Sequence, residues 1–69
     1  MTTNISIQIS KNIKKHRALS GLTQVELAEK AKMNSNYYSK IERGIISPSV
    51  DALIRIIKAL KVKYTDILP

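Results

Sequence analysis

Ser35, Asn36, Ser39 and Lys40 are spaced so that, on a helix, they share a face turned away from Tyr38 and Ile41, which lie three apart. Their chemistry is recognition by hydrogen bonding rather than bond making. An asparagine amide can pair bidentately with N6 and N7 of adenine, and a lysine one turn further on can reach guanine acceptors or a phosphate. Tyr37 borders the face, placed either to touch a thymine methyl or backbone oxygen or to brace the helix as a half-buried ring. Other chemistries lack their residues. There is no cysteine and His16 is the only imidazole, so disulfides, thiolate zinc sites and thiol catalysis are excluded and no metal set can form around one histidine. The serines, the histidine and the carboxylates form no nucleophile or acid–base constellation. The chain reads as a non-enzyme that needs no cofactor.

Charge gives the partner's sign. Twelve Lys and Arg against five Asp and Glu leave a formal net charge of +7, which favours a polyanion. Charge alone does not name that polyanion: double-stranded DNA and structured RNA both stay open at this point, although RNA would call for exposed stacking aromatics and only Tyr37 qualifies. At 69 residues the chain is a single domain near the lower size for an unstapled core. Hydrophobic residues make up 43% and aromatics only 4%, so that core is aliphatic and suits packed helices. No apolar run approaches the roughly 20 residues needed to span a bilayer, and no secretory pattern opens the chain, so a soluble cytoplasmic protein with no membrane partner is expected.

Helical elements must hold the polar face. Ile5, Ile9 and Ile13 recur every four residues and predict a first helix over about 5–19, ended by Ser20-Gly21. Ile5, Ile7 and Ile9 also alternate, which leaves residues 1–5 open to a second reading as a flexible arm. Thr23-Gln24-Val25-Glu26 has the form of a capping box and starts a second helix to about Ala31, with Val25, Leu27, Ala28 and Ala31 as apolar positions. Lys32–Asn34 form a tight turn, and Asn34 caps a third helix over 35–43 that Gly44 ends. Ser49 caps a fourth helix over 50–60, buried through Leu53, Ile56, Ile57 and Leu60. A short fifth follows around Val62–Leu68. Helix two, a short turn and helix three make a helix-turn-helix over about 23–43.

Leu22-Thr-Gln-Val-Glu-Leu-Ala-Glu-Lys-Ala31 and Lys40-Ile-Glu-Arg-Gly44 resemble the phage repressor and Cro-type (XRE) helix-turn-helix family, which includes restriction–modification controller proteins. The likeness continues through Pro48-Ser49-Val50 and Leu53–Leu60. It implies an all-α, five-helix lambda-repressor-like domain and a transcriptional regulator with helix three in the major groove. By the same resemblance Gln24 grips a phosphate and braces the recognition helix. Arg43 with the amides of Gly44 and Ile45 forms a phosphate clamp, and Lys11 on the basic first helix is a further phosphate candidate. Arg17 and Glu42 match an internal ion pair joining helices one and three.

Departures from the family pattern also carry expectations. Lys32 stands where glycine is common, implying left-handed strain. Tyr38 replaces an aliphatic core residue, so its hydroxyl needs a partner. One recognition helix reads only a few base pairs, so a homodimer on an inverted-repeat operator is expected, with Ile45, Ile46, Tyr64, Ile67 and Leu68 as interface candidates. For Ile67 and Ile45, burial within the monomer is the competing reading. RNA polymerase is a further candidate partner. The competing function is an antitoxin-like module that binds another protein first and DNA second, using the Ile45-Ile46 pair.

Overall fold

Five helices form over the described residues, 3–69, of the computed structural model: α1 (Asn4–Ser20), α2 (Gln24–Lys30), α3 (Ser35–Glu42), α4 (Val50–Leu60) and α5 (Tyr64–Ile67). The described residues contain no strand. Side-chain oxygens of Thr3, Thr23, Asn34 and Ser49 accept first-turn amides of α1 to α4 in turn, satisfying donors that the helix leaves orphaned. Thr23 and Glu26 complete the capping box, each side chain taking the other's amide. At α5 the Asp66 carboxylate instead accepts from the Lys63 amide at 2.9 Å.

The first four helices end alike. Gly21, Lys32, Gly44 and Lys61 all take positive φ, between 56° and 76°. In each case that residue's amide bonds back three residues and the next amide bonds back five, as in Gly44 to Ile41 and Ile45 to Lys40. Two of these endings use glycine, for which the conformation is free, and two use lysine, for which it is strained. The strain expected at Lys32 is present, and Lys61 adds a second instance.

α2 packs on α3 and α4, and α1 packs on α3, α4 and α5. Ile13, Leu27, Tyr38, Ile41, Ile56 and Ile67 are the largest fully buried side chains, so every helix contributes to one core. The Asn12 side-chain amide donates to the Ile67 carbonyl at 2.9 Å and ties α5 to α1. Ser6 and Ser47 hydroxyls, 2.7 Å apart, hold the α3–α4 loop against α1. No described helix is long and apolar enough to cross a membrane.

Several expectations are corrected. α1 starts at Asn4 with Thr3 as its cap, so of the residues open to reading as an arm Asn4 and Ile5 are helical, while residues 1 and 2 lie outside the described residues. Ile5 is 60% exposed, because the covered face of α1 starts only at Ser6 and Ile9. Val25 is also exposed, since the face of α2 that meets its neighbours is set by Leu27, Ala28 and Ala31. On α4, Ala52 joins the buried face and Leu53 is only partly covered. Ile67 is fully buried within the monomer, where the Asn12 tie holds α5, and is removed from the interface candidates.

Candidate nucleic-acid interface

α3 has two faces of different use. Tyr38, Ile41 and Glu42 are buried, whereas Ser35, Asn36 and Lys40, with Arg43 just beyond the helix, are exposed. Asn36, Lys40 and Arg43 follow one another at helical spacing and form an outward stripe. Ser39 and Tyr37 are half-buried at its border. The Tyr37 hydroxyl accepts from the Ser49 amide at 3.4 Å, a bracing contact to the start of α4. Asn34 accepts the amides of Asn36 and Tyr37, so the leading turn of α3 is fixed and the Asn36 side chain projects from it.

The inward face is held by a charged network. The Glu42 side chain is 1% exposed and Arg17 is 17% exposed. Arg17 donates Nε to Glu42 Oε2 and Nη2 to Oε1, both at 2.8 Å, and Nη1 to the Leu22 carbonyl at 2.8 Å. Tyr38 donates its hydroxyl to Oε2, and the Gln24 side-chain amide donates to Oε1 at 3.3 Å. One carboxylate therefore joins α1, α2 and α3. Burial pushes the Glu42 carboxyl up, but the hydrogen bonds from Arg17, Tyr38 and Gln24 and the charge of Arg17 outweigh it and hold the group below its ordinary value. The bond to Glu42 raises Arg17 further, so the guanidinium stays charged. Burial, then the Glu42 carboxylate, pushes the Tyr38 hydroxyl well above the usual tyrosine range. At the tip of α2 the Thr23 amide and hydroxyl hold the Glu26 carboxyl below its ordinary value.

The Arg17–Glu42 pair anticipated from the sequence is thus formed, and the partner Tyr38 requires is the same carboxylate. The sequence reading left that partner unnamed, although Tyr38 and Glu42 stand at i and i+4 and so share one face of α3. Gln24 supplies the bracing half of its expected role. The expected clamp is corrected in part: the amides of Gly44 and Ile45 already bond to the carbonyls of Ile41 and Lys40, so neither amide is free for a phosphate. That leaves the exposed Arg43 side chain. α1 passes beside this end of α3, since Ser10 Oγ lies 3.9 Å from where a Gly44 side chain would begin, and Lys11 on the next position is exposed. Among the interface candidates Ile45 is 53% and Tyr64 51% exposed, Leu68 is also exposed, and Ile46 is partly buried against the core. Ile7 on α1, noted in the sequence only for its alternation with Ile5 and Ile9, is exposed as well. Among the described residues no cluster of three or more His, Asp or Glu can hold a metal.

A family model described as helix-turn-helix matches residues 13–67, from the centre of α1 through α5. The chain belongs to this family. This helix-turn-helix chain is similar to the control protein C.BamHI of Bacillus amyloliquefaciens, at 35% identity over 69 residues, 99% of this chain and 85% of the relative. It is similar also to the immunity repressor of Bacillus phage phi105, at 37% over 60 residues, 87% of this chain and 42% of the repressor. It spans only 36% of an uncharacterized HTH-type transcriptional regulator of Mycobacterium tuberculosis that is 38% identical over 50 residues. Among solved structures, the wild-type restriction–modification controller C.Esp1396I matches with a TM-score of 0.86 and 33% identity, over 91% of this chain and 83% of that one. The same controller has been solved as a tetramer on its natural 35 base-pair operator. These relatives are control, repressor and regulator proteins, and this chain carries the helix-turn-helix domain of their family.

Proposed function

We propose that the protein is a sequence-specific transcriptional regulator that binds an inverted-repeat operator as a homodimer, each copy laying α3 in a major groove. The observation that carries this reading is the outward stripe of Asn36, Lys40 and Arg43 on a helix whose opposite face is locked by Tyr38, Ile41 and Glu42. Readout by hydrogen bonds demands donors held in place before the DNA arrives, and the Glu42 network supplies that rigidity. Ser35 and Asn36 in the leading turn meet base edges, with Ser39 and Tyr37 at the border. Lys40 takes a guanine or a phosphate, while Gln24, Arg43 and Lys11 take phosphates.

A second copy follows from size. α3 has eight residues, about 12 Å of helix, enough for only a few base pairs. The backbone of one copy extends 26 Å at most, whereas successive major grooves on one face of the duplex are about 34 Å apart. Exposed Ile45, Tyr64 and Leu68 are the surfaces proposed to meet across the two-fold axis. The tetrameric operator complex of C.Esp1396I supports assembly on DNA. RNA polymerase enters this reading as the target whose access an occupied operator changes.

The test is a fluorescence anisotropy titration on the DNA upstream of the protein's own gene, beside a shuffled duplex, at low and near-physiological salt. A preference of about a thousandfold that survives the higher salt is the expected result. Equal, salt-sensitive binding to both duplexes would reduce the interaction to charge, and no binding to either would favour a protein partner.

A further inference from the structure

Away from the stripe on α3, four of the chain's twelve basic residues converge on one part of the surface. Lys30 at the end of α2, Lys32 in the turn, and Arg55 and Lys58 on α4 line an open cleft of about 430 Å³, together with the small side chains of Ala31 and Ala59. All four cations are exposed. Arg55 is fixed in place: Nη1 donates to the Lys32 carbonyl at 3.2 Å, and Nε pairs with Asp51 at 3.1 Å. Asp51 offsets part of that one charge, and no acidic residue lines the cleft itself. Gathering like charges in a concavity raises the local potential, which a bound anion relieves.

Two observations select the anion. The lining offers only two alanines as apolar contacts, without the aromatic or large aliphatic anchors that carry affinity in a protein interface. A sugar–phosphate backbone needs no such anchor, only cations and N–H donors. One edge of the cleft is also near the leading end of α3, since Lys32 precedes Asn36 by four residues, at most about 15 Å of chain. We infer that this cleft is a second phosphate-binding surface, which seats the backbone of duplex DNA flanking the bases that α3 reads. The inference rests on α3 entering the groove, and it extends the footprint outward from each half-site.

The variant Lys30→Ala/Lys58→Ala removes two cations from exposed helical positions where alanine is well tolerated, and circular dichroism with a thermal melt confirms the fold. Lys32→Gly serves as a third probe that keeps the left-handed turn. Anisotropy is read across a salt series on three duplexes: the operator trimmed to the base pairs that the two copies of α3 read, the same operator with ten arbitrary base pairs added at each end, and a shuffled duplex of the longer length. The double variant is expected to reduce the slope of log affinity against log salt by about four units on the long operator, about one for each of the two lysines lost from each of the two copies. On the trimmed operator its slope should match the parent's, and its ratio of native to shuffled affinity should not change. An unchanged slope on the long duplex overturns the inference, as does an equal loss on the trimmed one. Unchanged DNA binding with lost affinity for a poly-glutamate peptide overturns it in favour of an acidic protein. Failure of the parent to prefer the operator counts against groove reading instead, and the slope difference on the long shuffled duplex then still decides whether the cleft holds phosphate.

Discussion

Glu42 receives four hydrogen bonds on two oxygens, two of them from Arg17, and so concentrates stability in one side chain. Glu42→Ala strands the Arg17 guanidinium and the Tyr38 hydroxyl together, and a loss of about 3 to 5 kcal/mol is expected in a urea melt. The same carboxylate sets the acid limit. Its folded value lies below the ordinary one, so its contribution is complete above the unfolded value of about 4.3 and disappears as pH falls through the folded value. Tyr38 acts in the opposite direction: its folded value is raised, so its contribution is complete below about pH 10 and is lost as the solution becomes more alkaline. The thermal midpoint should therefore fall below about pH 4.3 and above about pH 10, and Tyr38→Phe should weaken the alkaline fall. On the outward face, Asn36→Ala should leave the melt unchanged, reduce operator affinity by about 1 to 3 kcal/mol and relax preference at one base position. A uniform loss over all sequences in the same titration would assign Asn36 to a phosphate.

At the scale of the element, the four matching helix endings place two lysines where glycine is unstrained. Lys32→Gly and Lys61→Gly should each stabilise the fold by about 0.5 to 1 kcal/mol, the relief of left-handed strain less the entropy that glycine adds to the unfolded chain, as read by denaturant midpoints. The strain at Lys32 could be read in advance because the family pattern has glycine there. Lys61 gave no such sign, since the residues around it, Lys58 to Lys63, look like an ordinary basic surface. The starts of α2, α3 and α4 were legible because caps act over three residues: Thr23, Asn34 and Ser49 each stand at the predicted N-cap. Burial was harder to read. Periodicity shows that Ile5, Ile9 and Ile13 share a face, but only the packing of α1 against its neighbours decides that cover reaches Ile9 and not Ile5. The Gly44 amide illustrates the same limit at the site, because its engagement depends on the chain turning back on α3.

For the whole molecule, the proposed two-fold assembly has a direct check. Ile45→Lys and Tyr64→Lys place charge on exposed apolar positions, so each should melt like the parent while sedimenting as a single copy. Operator affinity should fall by about a hundredfold or more as the linkage between half-sites is lost. A variant that still sediments as a pair would move the interface elsewhere, with exposed Ile7 on α1 as the next position to change. The outward stripe on α3 shares a helix with the buried rail but none of its bonds. Among the described residues, the side chains of Asn36, Lys40 and Arg43 make no hydrogen bond. Substitution there leaves the frame intact. On the proposed reading, descendants of this chain can exchange one DNA address for another a single residue at a time, each intermediate still folded, so the repertoire of addresses open to them is limited by the DNA rather than by the protein.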